Sequence, residues 1–264
     1  MRKSLLGKVS RADVPAAALA AWQRAPGTRP FVLGHRGARH AAPENTLAAF
    51  ELARTEGADG IELDVRLDGG GRVIVLHDPT LTRVTSNAET RHAEDIPSHD
   101  MSRLDVGAGE HVPLLSEVLT WAHEHDLRVN VELKSDVKNR GLLLKQVAEV
   151  VRASARPKLL FSSFHPYFVW WLARHIPELP RGWLVHDKQP VLKHSPGFAA
   201  LGANALHPQH TLVTAERVAR AHAEHTLLNV WTVNEPARAQ TLADLGVDAI
   251  ISDAPGKILS ALRS

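Results

Sequence analysis

Apolar and polar residues along the chain recur with two periods, near two and near 3.6, and the switches between them divide it into strands and helices. Residues 31–34 are an apolar run. Asn45 stands where a helix cap is expected, and a helix is predicted over 46–56 with Gly57 as its stop. Residues 58–67 read as a second strand, followed by the turn Asp68-Gly69-Gly70-Gly71 and a short apolar strand at 73–76. So tight a turn cannot join parallel strands, so 73–76 is expected to fold back as a hairpin. Further strands are predicted at 127–133, 158–162, 181–185, 203–206, 227–233 and 247–252. Helices are predicted at 117–123 with Ser116 as cap, and at 139–153, 166–175, 213–224, 235–245 and 255–262. Three stretches stand outside the alternation. They are a short helix at 13–24 ended by Ala25-Pro26-Gly27, a polar segment at 79–112, and an irregular one at 186–197.

With the folded-back strand set aside, about eight strand–helix units remain, which imply a parallel sheet that closes most simply as an α/β TIM-type (β/α)8 barrel. A doubly wound open sheet would show a glycine-rich turn after its first strand, and Gly34-His35-Arg36-Gly37-Ala38 is not one. The expected organisation is an N-terminal extension over 1–30 and one barrel domain over 31–264, with 79–112 as a mouth insertion.

Composition acts mainly by exclusion. Thirty-one basic against 29 acidic residues leave a formal charge of +2, no electrostatic case for nucleic acid or a membrane surface. The absence of cysteine removes disulfides, thiolate metal sites and a cysteine nucleophile. The first residues are positively charged, but Lys8, Arg11 and Asp13 interrupt any apolar signal core. No apolar run is long enough to span a bilayer, and a cytoplasmic protein is expected.

The chemistry lies in side-chain parity. In Ile61-Glu62-Leu63-Asp64-Val65 the apolar residues share one strand face, and Glu62 and Asp64 share the other, the interior of a barrel. Val129-Asn130-Val131-Glu132-Leu133-Lys134 repeats the form. Three inward carboxylates repel one another, and a divalent cation such as Mg²⁺ or Ca²⁺ resolves this. A structural ion network with Arg36, Arg66 or Lys134 is the alternative. His35 follows the first barrel strand, and the hairpin returns His77 beside Glu62 and Asp64, so the two can serve as general base and general acid. Arg36 and Lys134 add fixed positive charge, which suits an anionic substrate such as a phosphate ester.

Gly34-His35-Arg36-Gly37, Pro43-Glu44-Asn45-Thr46, Glu62-Leu63-Asp64, His77-Asp78, Val131-Glu132-Leu133-Lys134, Trp231-Thr232-Val233-Asn234 and Ser252-Asp253-Ala254-Pro255, in this order, resemble the glycerophosphodiester phosphodiesterases. The resemblance implies a phospholipase-C-like TIM barrel and one Ca²⁺ or Mg²⁺ on Glu62, Asp64 and Glu132. It implies His35 and His77 as the acid–base pair, and Arg36 and Lys134 as phosphate ligands. Trp231 would form an aromatic wall beside the substrate or pack as ordinary core, and Glu44 would order the loop before the first helix or touch the substrate alcohol. The implied reaction cleaves a glycerophosphodiester to sn-glycerol 3-phosphate and an alcohol, with a small-molecule partner and a monomer or small homo-oligomer. A phospholipase D of the sphingomyelinase or lysophospholipid type, and a non-catalytic phospholigand-binding barrel, are the rivals. Phe164, Tyr167, Phe168, Trp170 and Trp171 are read mainly as packing for the outer layer.

Overall fold

The structure, a computed structural model, describes residues 10–11, 13–154, 157–189 and 200–262. Within them, eight parallel strands close on themselves: β1 (Phe31–His35), β2 (Gly60–Leu67), β4 (Arg128–Leu133), β5 (Lys158–Ser163), β6 (Arg181–Val185), β7 (Ala205–Pro208), β8 (Leu227–Val230) and β9 (Ala249–Ser252). β1 pairs in parallel with both β2 and β9, so the barrel has no open edge there. β3 (Val73–Val75) is the exception. It pairs antiparallel with β2, Val65 opposite Val75, and so gives the hairpin that the short glycine turn requires. The outer helices are α2 (Leu47–Thr55), α4 (Leu115–Glu124), α5 (Arg140–Ala153), α6 (Pro166–His175), α7 (Ala215–Ala223), α8 (Pro236–Leu245) and α9 (Pro255–Leu262).

Strand parity sorts the two layers as the pattern predicts. Ile61, Leu63 and Val65 pack outward with Phe50 and Ala53 of α2 and Leu115 and Val118 of α4. Leu33, Leu160, Ala205, Leu227, Ala249 and Ile251 pack together in a separate cluster around Trp22. Trp22 follows α1 (Ala16–Ala20) and is wholly buried. Its segment is bound to residues at the N-terminal strand ends. Arg128 Nε donates to the Ala21 carbonyl (2.7 Å), the Arg24 N–H donates to Asp248 (3.1 Å), and Arg181 Nη2 donates to the Ser10 carbonyl (2.9 Å). The stretch at 13–24 is thus a plug on the barrel floor, with only five residues helical.

Three local expectations are corrected. The first helix is capped by Thr46, whose hydroxyl accepts from the Ala49 N–H, and not by Asn45. Ser116 does not cap α4, which already runs from Leu115; the Glu117 carboxylate instead accepts from the Leu114 N–H at 2.7 Å. β8 ends at Val230, short of 233, with Trp231 joined to Gln209 by one bridge. The segment over 79–112 contains a 3-10 turn (Ala93–Asp95) and α3 (Ser98–Met101), and closes its own apolar cluster. Leu81, Ala93, Ile96, Met101 and Val106 pack there on Ile74 and Leu76. Of the irregular stretch at 186–197, residues 190–197 lie outside the described residues.

Polar groups also occupy the interior. His207 is fully buried against Gly182, where a methyl group would meet its ring at 2.5 Å, and its Nε2 lies 3.0 Å from the Asn229 amide. Burial lowers the His207 pKa from 6.5 to about 3. The folded protein therefore keeps this imidazole neutral, while the unfolded chain protonates it as pH falls below 6.5, so its stabilising preference is present above 6.5 and lost toward acid. Between pH 7 and 4 the wild type is expected to lose about 3 kcal/mol more stability than His207→Gln. Urea unfolding at both pH values checks this; equal losses in the two proteins would contradict it.

Candidate active site

Register brings the acidic residues together. His35 is opposite Glu62, Glu62 is opposite Asn130, and Asp64 is opposite Glu132 across β1, β2 and β4. One carboxylate oxygen from each of Glu62, Asp64 and Glu132 lies within 4.8 Å of the others, and all three residues are buried. Lys134 Nζ contacts Glu132 at 2.8 Å and Asp64 at 3.4 Å, and Arg36 Nε lies 3.3 Å from Asp64. Arg66 does not join them, because its guanidinium forks onto Asp136 at 2.8 Å.

Two cations therefore face three carboxylates, and the excess is visible in the titration of the group. Burial, then Asp64 and Glu132, push the Glu62 carboxyl well above its usual range. Burial also raises Glu132, against the pull of Lys134. At Asp64 burial is outweighed by Lys134 and Arg36, so that carboxyl is held below its usual range. A buried cluster of three mutually repelling carboxylates with an all-oxygen donor set fits a hard divalent cation. Glu62, Asp64 and Glu132 are the residues that would hold it.

Each histidine is oriented by an aspartate. His35 Nδ1 lies 2.6 Å from Asp253 Oδ1, and Asp253 is fixed by the Asn234 amide (2.7 Å) and by its own N–H to Asn234 Oδ1 (2.9 Å). His77 Nδ1 lies 2.7 Å from Asp78 Oδ1. A carboxylate at Nδ1 selects the tautomer that carries its proton there, leaving Nε2 of each ring as the reactive nitrogen. His35 Nε2 stands 3.9 Å from Glu62 Oε2. Burial is the largest influence on both imidazoles and lowers both pKa values, against the aspartates that raise them.

The loop after β1 is built for close approach. Gly37 has φ +81°, and a Cβ there would lie 2.5 Å from the Ala49 backbone. Arg36 (φ 56°) and Asn45 (φ 59°) adopt left-handed backbone that side chains other than glycine rarely take. This turn aims the Arg36 N–H at Glu62 Oε2 (3.1 Å) and lets the Asn45 amide donate to Asp64 (3.0 Å). Glu44 accepts from Arg36 (2.9 Å) and Arg83 (2.7 and 2.8 Å) and lies 3.5 Å from Arg39.

A cavity of about 290 Å³ opens among these groups. It is lined by His35, Arg36, Glu62, His77, Asn130, Glu132 and Lys134 on its polar side, and by Phe164, Leu184, Trp231 and Ile251 on its apolar side. The Phe164 and Trp231 rings meet edge to face at 5.5 Å, and the Trp231 indole donates to the His207 carbonyl (2.8 Å). Phe164 thus lines the cavity, whereas Phe168 is core and Tyr167 is exposed. Glu44 borders the cavity through Arg36 and is not part of its lining. The sequence pattern missed Asn45 as a partner of Asp64, and Asp78, Asp253, Asn234 and Arg83 as partners of the histidines and Glu44. The one available signal was acidity beside or beyond a strand end, in His77-Asp78 and Ser252-Asp253.

Residues 35–257 match the model of the glycerophosphoryl diester phosphodiesterase family. A glycerophosphodiester phosphodiesterase of Caldanaerobacter subterraneus is 32% identical over 241 residues, covering 88% of this chain and 98% of that protein. One from Bacillus altitudinis is 31% identical, covering 86% and 95%. Among solved structures, an Oleispira antarctica phosphodiesterase in complex with the product sn-glycerol-3-phosphate superposes with a TM-score of 0.80 at 29% identity, covering 89% of this chain and 98% of that one. A putative glycerophosphoryl diester phosphodiesterase from Silicibacter pomeroyi superposes with a TM-score of 0.84 at 27% identity, covering 94% and 97%. With matching residues that run from the first barrel strand into the last helix, the chain belongs to the glycerophosphoryl diester phosphodiesterase family.

Proposed function

We propose that the protein hydrolyses glycerophosphodiesters to sn-glycerol 3-phosphate and an alcohol, with a divalent cation and a histidine acid–base pair. The observation that carries this reading is a cluster of three buried carboxylates, two of which, Glu62 and Glu132, line one cavity together with two aspartate-backed imidazoles. Arg36 and Lys134 supply fixed positive charge for the phosphate of the diester. A cation held by Glu62, Asp64 and Glu132 would supply Lewis-acid neutralisation of the phosphoryl oxygens. One imidazole removes a proton through its Nε2 from the attacking oxygen, that of water or of the substrate's own glycerol 2-hydroxyl, and the other protonates the departing alkoxide. Attack by the 2-hydroxyl gives a cyclic phosphate that water then opens, and the aspartates hold the rings in place. Phe164, Leu184 and Trp231 exclude water from the apolar side of the cavity and bound the carbon skeleton of the substrate. Glu44 orders the loop around Arg36.

The test is release of choline or ethanolamine from glycerophosphocholine and glycerophosphoethanolamine, with and without metal. Exhaustive EDTA treatment is expected to abolish turnover, and Ca²⁺ or Mg²⁺ to restore it. Full activity after chelation would remove the cation from the reaction. Tight binding of glycerol 3-phosphate with no turnover of any diester would favour a binding protein instead. Among the described residues no helix is long and apolar enough to cross a membrane.

A further inference from the structure

The two histidine–aspartate pairs are supported differently. Asp253 is fixed from within the barrel by Asn234, which contacts both its backbone and its carboxylate. Among the described residues, Asp78 has no such neighbour in the barrel. Its second oxygen accepts from Arg83 Nε at 2.7 Å, and Arg83 is carried by the segment that follows the hairpin. The same guanidinium forks onto Glu44, Nη1 to Oε2 at 2.8 Å and Nη2 to Oε1 at 2.7 Å. All three of its donor nitrogens are thus engaged, and the plane of the guanidinium spans two carboxylates from different loops.

The backbone beneath Arg83 is itself held. Leu81 is wholly buried in the apolar cluster with Ile74 and Ile96, and the Thr85 hydroxyl donates to the Leu81 carbonyl at 2.9 Å. The Asn87 N–H closes the turn on the Thr82 carbonyl at 2.8 Å. A long side chain on a fixed turn loses less freedom in forming a bridge than one on a mobile loop. The pair it steadies is the more exposed of the two, because the His77 side chain is 31% exposed and that of His35 is 16%.

We infer that Arg83 is a positioning residue, fixing Asp78 and through it the His77 ring by anchoring both to Glu44. This rests on the acid–base reading of His77 proposed above. Arg83 is not among the residues lining the cavity, so what it does through Asp78 and His77 falls on the reaction step. Lysine cannot replace it, because one ammonium group cannot fork onto Glu44 and hold Asp78 at once.

The experiment is a set of double-mutant cycles on the full chain loaded with a divalent ion, with glycerophosphocholine as substrate. Arg83→Ala is expected to lower kcat roughly tenfold with KM within about twofold, and Arg83→Lys to restore none of the loss. In a His77→Ala background Arg83→Ala is expected to have no further effect, whereas in a His35→Ala background the roughly tenfold loss persists. A kcat within about twofold of wild type, or an undiminished loss in the His77→Ala background, would overturn the inference. A second readout is independent of turnover. The His77 Nδ1 proton resonance is expected to be protected in the wild type and lost in Arg83→Ala; an unchanged resonance would also overturn it. Absence of turnover in the wild type with the resonance behaving as expected would fail the proposed reaction and leave Arg83 in its role.

Discussion

His35→Ala and His77→Ala are each expected to lower turnover of glycerophosphocholine by about 10²–10⁴-fold, with the fold intact. Both rings sit at the mouth in polar surroundings and neither belongs to an apolar cluster, so their removal leaves the barrel packing untouched. Each presents Nε2 while an aspartate occupies Nδ1, and burial keeps each pKa below the ordinary value. A neutral imidazole near pH 7 is the form a base requires; its partner acts as acid once protonated. The two roles separate by leaving group. Against a p-nitrophenyl phosphodiester, whose phenolate leaves without protonation, the variant lacking the acid is expected to recover, and the variant lacking the base is not. Initial rates for both substrates, with circular dichroism melts as control, make the measurement. Wild-type-like turnover in either variant would sink the assignment for that residue.

Trp22→Ala is expected to destabilise the protein by about 3–5 kcal/mol. The indole fills the barrel floor between Leu33, Leu160, Leu227 and Ala249, four strands that cannot approach one another to close the space it leaves. Its Nε1 is buried without a partner among the described residues, so Trp22→Phe removes an unsatisfied donor along with some volume and is expected to cost less than the alanine change. Urea unfolding provides the measurement. A loss below about 1 kcal/mol for Trp22→Ala would show that the segment merely lies against the barrel. Because the plug and the cavity occupy opposite ends of the strands, the folded variant is expected to keep its KM.

Parity along β2 and β4 was enough to place Glu62, Asp64 and Glu132 on one interior face, because a strand has only two faces and the apolar residues claimed the other. The glycine turn was enough to return His77, because its length forbids a parallel crossover. What remained hidden has a common physical cause: it depends on backbone geometry or on partners distant in sequence. Asn45 looked like a helix cap, but its left-handed backbone turns the amide toward Asp64 and passes the capping task to Thr46. Asp253 is 218 positions from His35, and only closure of β1 on β9 brings them together. The polar segment over 79–112 conceals a small core because its apolar residues follow the turns of a short irregular path, with no helical or strand period. Trp22 read as part of a short helix outside the main pattern because nothing local reveals that the barrel floor needs a stopper.

That closure of β1 on β9 also sets the order in which the chain can fold. The pairing joins Phe31 to Ala249, so the earliest barrel strand waits for the latest. Loop closure over so many residues is entropically slow, and proteins dominated by such distant contacts fold slowly. On a ribosome, β1 would emerge long before its second neighbour, and Arg24 before Asp248. The His35–Asp253 pair assembles at the same late moment. A nascent or truncated chain ending before residue 249 therefore carries the acidic residues on an open sheet with an unpaired edge, and without the aspartate that orients the His35 ring.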